Sequence, residues 1–161
     1  GKEMAEGDVG MIEVRGPNVF KGYWNMPDKT VLELRETGYF ITGDLGKLSS
    51  DGYLSIVGRH KDLIISGGYN VYPKEIEDIL NELNQFNETA VFGIPDNDLG
   101  ERVVAAIVLK NNKNFNQSKI EVFVNKKLAR YKQPKEYFVL DTIPRNSMGK
   151  VQKNELRKRF S

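Results

Sequence analysis

From Val9 to Arg15 apolar and polar residues alternate between Gly7 and a Gly16-Pro17 pair, a period-two pattern that predicts a strand running into a turn. Val19-Phe20-Lys21-Gly22-Tyr23-Trp24 follows as an aromatic-rich connector. Asp28 to Arg35 carries Val31, Leu32 and Leu34 behind a candidate capping aspartate at 28, so a short helix is expected there. Tyr39 to Thr42 reads as a strand, and Ser50-Asp51-Gly52 as the turn that joins Leu45–Leu48 to Tyr53–Val57. This first part is small and mostly β.

After Gly58 the pattern changes to strands alternating with helices, the mark of an α/β or α+β unit, and a domain boundary is placed there. Leu63 to Ser66 predicts a strand ending at Gly67-Gly68. Pro73 opens a helix whose Ile76, Ile79, Leu80 and Leu83 share one face. Thr89–Ile94 and Arg102–Leu109 are strand-like, with a loop from Pro95 to Gly100 between them. Asn111 to Gln117 reads as a polar loop, and Ser118 to Arg130, with Ile120, Phe123, Val124 and Leu128, as a second amphipathic helix. Tyr137 to Leu140 is the next strand. A Met148-Gly149-Lys150 loop then precedes a basic terminal helix from Gln152 to Arg159.

Composition narrows the chemistry. A hydrophobic share of 39% over 161 residues suffices for one packed domain or two small ones. No apolar run reaches the ~20 residues that span a bilayer, and a basic start with an apolar core is absent at the N-terminus, so a cytoplasmic protein without a membrane span is expected. Without cysteine there is no disulfide, thiol nucleophile or thiolate metal site. The single His60 leaves no histidine cluster for a metal or a charge-relay triad, and no metal site is expected. The net charge is only +2, yet 11 of the 24 Lys and Arg residues fall between Lys126 and Arg159, against three acids. No groove-reading or base-stacking motif accompanies them, so no nucleic acid is expected as a partner; a solvated helix face or a phosphate-rich small ligand accounts for the charge.

Four ordered pieces carry the chemistry: Thr42-Gly43-Asp44; Gly58-Arg59-His60-Lys61-Asp62; Ser66-Gly67-Gly68-Tyr69-Asn70-Val71-Tyr72-Pro73-Lys74-Glu75-Ile76-Glu77; and Pro144-Arg145-Asn146-Ser147-Met148-Gly149-Lys150. In this order the chain resembles the C-terminal part of acyl-CoA synthetases of the adenylate-forming, AMP-binding superfamily. The wording is closest to malonyl-CoA synthetases in Gly16–Trp24 and Pro144–Lys153. The resemblance implies residues 1–58 as the end of a larger N-terminal domain and residues 59–161 as a mobile domain with a mixed sheet flanked by helices. It also implies a C-terminal fragment of a longer enzyme, because the phosphate-binding loop and acyl pocket of the family do not occur here; the isolated chain is expected to be inactive.

By the same resemblance Lys150 is the adenylation lysine, Asp44 accepts from the ribose hydroxyls of the nucleotide, Arg59 reaches its ribose and phosphate, Lys61 is the hinge, and Gly67 and Gly68 line the path of the pantetheine arm. Read from the residues alone, Lys150 is a solvated lysine opening a basic helix, Asp44 a stabiliser of a glycine turn, and Gly67-Gly68 a tight turn. Tyr39 and Thr42 read as packing residues, and Asp96 and Glu101 as turn and strand-edge residues. The implied substrates are ATP with Mg2+, held chiefly through ATP and the missing N-terminal domain, coenzyme A, and a small carboxylate, malonate first. Two further readings stay open: an adenylation domain that loads a carrier protein, and a nucleotide-binding module without catalysis.

Overall fold

The computed structural model describes residues 2–110 and 114–161; the first part of the expected polar loop, residues 111–113, lies outside them. The chain divides into two units, Gly1–Lys61 and Asp62–Ser161. The division falls beyond Gly58 because Gly58 and Arg59 are still strand residues, paired with Leu45 and Asp44.

The first unit is a three-stranded antiparallel sheet of β1 (Gly10–Val14), β2 (Phe40–Leu48) and β3 (Leu54–Arg59), in that order, with the short helix α1 (Pro27–Glu33) between β1 and β2. The two strands expected at Tyr39–Thr42 and Leu45–Leu48 are one, because Gly43, at φ +75°, lies in a bulge where the register against β1 shifts between Met11 and Glu13 and the pairing resumes beyond it. Helix α1 begins one residue before Asp28, with Pro27 in its first turn; Met26 is the flanking residue and its carbonyl accepts from both the Thr30 amide and the Thr30 hydroxyl. Leu45 is the one buried large apolar side chain among the described residues of this unit.

The second unit is an α+β layer structure. Strands β4 (Ile64–Ser66) and β5 (Tyr69–Val71) form a hairpin across Gly67-Gly68. β4 joins the start of β7 (Gly100–Leu109), which pairs along its length with β6 (Phe86–Asp96). β8 (Glu136–Val139) runs parallel to β7 from Val104 to Ile107, so the sheet is mixed; a parallel return needs a crossover, supplied by the segment containing α3 (Gln117–Asn125). The sheet is buried on both faces. Val91, Val103, Ala105 and Ile107 face Ile76 and Leu80 of α2 (Pro73–Asn81) and Ile120 and Val124 of α3. Ala90, Phe92, Ile94, Val104 and Ala106 face Ile143 and Leu156, the latter on α4 (Lys153–Phe160). Two-sided burial is why Val103–Leu109 is an unbroken apolar run rather than an alternating one.

Boundaries differ from those expected at β6, which already begins at Phe86, at the β6–β7 turn and at α3. The β6–β7 hairpin consumes half of the Pro95–Gly100 loop, since Asp96 pairs with Gly100, and the Asp96 carboxylate accepts from the amides of Asp98 and Leu99 at 3.0 and 2.9 Å, closing a tight turn. Helix α3 ends at Asn125, well before Arg130. Leu128 still reaches the core from the turn beyond it, and its carbonyl accepts from Gln133 Nε2 at 2.9 Å. Asn116, whose side chain accepts from the Lys119 amide at 3.0 Å, caps the start of the same helix.

Candidate functional site

In the first unit the register of β2 against β3 sets Asp44 opposite Arg59, and Arg59 Nε lies 2.8 Å from Asp44 Oδ1. The Thr42 hydroxyl donates to the Ile12 carbonyl at 2.9 Å and accepts from the Asp44 amide at 3.1 Å, so β1 holds the backbone that presents Asp44. Asp44 keeps lone pairs that Arg59 Nε does not fill, and about a quarter of its side chain is exposed. A concave surface beside the pair is lined by Tyr23, Lys29, Glu33, Asp44, Arg59 and Lys61. Tyr23 donates its hydroxyl to Glu33, which raises the phenol's pKa, and Lys29 Nζ stands 4.2 Å from the centre of the Tyr23 ring. Two carboxylates, a guanidinium and two ammonium groups therefore share one open concavity, a set of acceptors and donors suited to sugar hydroxyls and phosphate oxygens. His60 and Lys61 follow in a single 3₁₀ turn, His60–Asp62, and both are exposed.

In the second unit Gly67 and Gly68 occupy the β4–β5 turn at φ +58° and +80°, the two positive values that a two-residue hairpin of this twist requires. The Gly67 amide donates to the Leu99 carbonyl at 2.8 Å, which docks this turn on the end of the β6–β7 hairpin. Glu101 Oε2 accepts from the Ile65 amide at 2.8 Å beside it. Asp96 and Glu101 thus have the turn and strand-edge contacts expected of them.

Lys150 sits on a closed loop between Pro144 and Gln152. The Asn146 amide donates to the Lys150 carbonyl at 2.9 Å, and Asn146 Oδ1 accepts from the amides of Met148 and Lys150 at 3.0 and 2.9 Å. Gly149 turns the chain at φ +77°. Among the described residues no carboxylate lies within ion-pair distance of the exposed Lys150. Lys153, at the start of α4, is the opposite case: it is mostly buried, and its Nζ donates at 2.7 Å to Glu77 Oε1, which also accepts from the Val91 amide at 2.8 Å.

The structure brings Asp44, Arg59 and Lys61 together on one surface, and it separates Lys150 from Gly67-Gly68. The Lys150 loop is tied through Arg145 to Glu88, near the start of β6, whereas the glycine turn is docked at Leu99, beyond its end. Glu88 and Asp96 are separated by about 27 Å of extended strand. Sequence reasoning passed over Tyr23, Lys29 and Glu33 at the concave surface, and over Arg145, Asn146 and Lys153 around Lys150. Arg145 and Asn146 lay inside a quoted motif; the other four belong to helix or connector segments whose facing is decided only by packing. Among the described residues no group of three or more metal-ligating side chains converges.

Residues 75–150 match the AMP-binding enzyme C-terminal domain. The chain is 40% identical over 156 residues to a long-chain-fatty-acid–CoA ligase of Bacillus subtilis, covering 97% of this chain and 28% of that protein. It is 42% identical over 157 residues to an indoleacetate–CoA ligase of Aromatoleum aromaticum, covering 98% and 31%. Among solved structures it is similar to ATP-bound MatB from Rhodopseudomonas palustris, with a TM-score of 0.92 at 51% identity over 99% of this chain and 32% of that one. It is also similar to the amide bond synthetase McbA from Marinactinospora thermotolerans, with a TM-score of 0.93 at 34% identity over 100% and 33%. The chain spans about a third of the length of these relatives.

Proposed function

We propose that this chain, whose residues 75–150 match the AMP-binding enzyme C-terminal domain, is the C-terminal part of an ATP-dependent carboxylate–CoA ligase. In the first half-reaction a carboxylate oxygen attacks the α-phosphorus of ATP, an acyl-adenylate forms and pyrophosphate leaves. In the second the coenzyme A thiol, giving up its proton, attacks the acyl carbon and AMP leaves. The first step brings two anions together, so it needs a cation that is not already neutralised. Lys150, exposed, without an ion-pair partner among the described residues and held on a hydrogen-bonded loop, is the observation that carries this reading.

Asp44 accepts from the ribose hydroxyls, Arg59 reaches ribose and phosphate from the opposite strand, and Mg2+ enters with the ATP phosphates. Lys61 is the pivot, which the division of the chain at that residue supports. Gly67 and Gly68 flank the pantetheine path. Their separation from Lys150 along β6 supports a two-step use of the second unit, in which rotation about Lys61 exchanges the end that serves adenylation for the end that serves thioester formation.

Malonate is the acid we propose first, on the likeness in Gly16–Trp24 and Pro144–Lys153. The 51% identity with MatB, against 40–42% with the two CoA ligases, supports the same order of preference. The test is AMP formation by the longer protein from MgATP, coenzyme A and a panel of carboxylates that includes malonate, with wild type set against Lys150→Ala and with preformed acyl-adenylate supplied in parallel. Lys150→Ala loses ~10²–10³ in carboxylate-dependent AMP formation, as expected for one preorganised charge donor, and still converts acyl-adenylate and coenzyme A to thioester. Wild-type protein that forms no AMP with any carboxylate refutes the ligase reading.

A further inference from the structure

The loop that carries Lys150 is closed by a side chain that the proposed reaction does not otherwise use. Arg145 spreads its guanidinium between two partners: Nη1 donates to the Gly149 carbonyl at 2.7 Å, and Nη2 donates to Glu88 Oε2 at 2.5 Å. The Gly149 carbonyl belongs to the peptide plane that contains the Lys150 nitrogen, so the bond from Arg145 and the bond from the Lys150 amide to Asn146 Oδ1 fix the two polar atoms of one rigid unit. Glu88, in turn, is paired through its backbone with Val108 in the β6–β7 ladder. The chain of contacts runs from the buried sheet through Glu88 and Arg145 to the peptide immediately before Lys150.

We infer that Arg145 is a positioning residue for Lys150, holding its loop to β6 through Glu88. The inference rests on the assignment of Lys150 to adenylation. A lysine ammonium moves at the end of four rotatable bonds, and its placement over a transferring phosphoryl group depends on how firmly its Cα is fixed. Both Arg145 and Glu88 are partly exposed, with side-chain accessibilities of 44% and 31%, and ion pairs in such surroundings add little to global stability. What this pair fixes is local. The fork geometry of arginine is needed, since a single ammonium does not serve two acceptors on diverging directions with the same definition.

The experiment uses the longer protein and measures both half-reactions separately, carboxylate-dependent pyrophosphate release and thioester formation from preformed acyl-adenylate. Arg145→Ala lowers kcat for adenylation by about 10- to 100-fold, leaves KM for ATP within about twofold, and leaves the thioester half-reaction within about twofold of wild type. Glu88→Ala, which removes the anchor and leaves the Arg145 cation in place, moves adenylation in the same direction; the double variant is no worse than Arg145→Ala alone, as expected for two residues acting as one unit. Arg145→Lys stays impaired. The inference is overturned by a rise in KM for ATP with kcat held, which would make Arg145 a ligand contact, by full activity of Arg145→Lys, which would leave only charge, or by a parallel loss of both half-reactions with a lowered melting temperature. Lys150→Ala is the control that separates the two levels. Wild-type adenylation by Lys150→Ala overturns the assignment of Lys150 and this inference with it, whereas loss in Lys150→Ala beside wild-type behaviour of Arg145→Ala overturns the inference alone.

Discussion

Asp44 and Arg59 face each other across β2 and β3 and are joined by a 2.8 Å ion pair that leaves acceptor capacity on the carboxylate. The pair is a product of register: a slip of β3 by one residue would turn Arg59 to the other face of the sheet and part it from Asp44.

Asp44→Ala should raise KM for ATP in the longer protein, because hydrogen bonds to a charged acceptor are worth about 1.5–3 kcal/mol, or roughly 10- to 150-fold. With Arg59 and Asp44 both partly exposed, the loss of their pairing should barely alter the melting temperature. Steady-state kinetics and thermal denaturation check the two halves of the expectation, and an unchanged KM would remove Asp44 from the nucleotide site.

Gly68→Ala should slow thioester formation and spare adenylation. No heavy atom lies within 4 Å of the Cβ position, so the substitution adds no clash, but φ at +80° costs a side-chain-bearing residue about 1–2 kcal/mol and distorts the turn. Separate half-reaction assays would reveal the split; equal slowing of both would point to a folding defect.

Leu156→Ala should destabilise the second unit by about 2–5 kcal/mol, the usual cost of truncating a fully buried leucine. Leu156 is the buried residue of α4, whose first residue, Lys153, is fixed to Glu77. Chemical denaturation of the chain measures the loss, and a change below ~1 kcal/mol would mean that the α4 face of the sheet collapses readily around the cavity.

Acid should loosen the tip of the β6–β7 hairpin. The amides of Leu99 and Asp98 hold the Asp96 carboxyl below its ordinary value of 3.8. A depressed carboxyl contributes stability that is fully present above its unfolded pKa and is lost as pH falls through the lower folded value, so the effect sets in below 3.8. Protection of the Leu99 amide, followed by NMR from pH 6 downward, should fall in that window, and Asp96→Asn should flatten the dependence. Because the Leu99 carbonyl accepts from the Gly67 amide, the Gly67 resonance should move with it.

The helix at Pro73 was legible in the spacing of Ile76, Ile79, Leu80 and Leu83, since one-sided packing writes itself into a 3.6-residue period. The turn at Gly67-Gly68 was legible too, but β5 was not: three residues from Tyr69 to Val71 pair only with β4, and so short a strand has no period to read. The extension of β6 to Asp96 was hidden because its last residues lie past the apolar core, where pairing is held by backbone bonds and the Asp96 side chain. Lys150, Asp44 and Arg59 were singled out through motif likeness. Their neighbours Glu88, Lys29 and Glu33 were not, because each is brought to its place from another element, and a single sequence records no such long-range pairing.

The first unit, among its described residues, buries one large apolar side chain, Leu45, while Trp24, Val31, Leu32 and Tyr53 are each more than 70% exposed. A sheet with so little interior has small cooperativity of its own, so the spacing of Asp44 and Arg59 rests on the β2–β3 pairing and on their ion pair rather than on a core. On the proposed nucleotide role of this pair, ligand occupancy and local order in this unit become one equilibrium: nucleotide would stabilise the ordered sheet by mass action, and its apparent affinity would be lowered by whatever fraction of the time the sheet is not ordered.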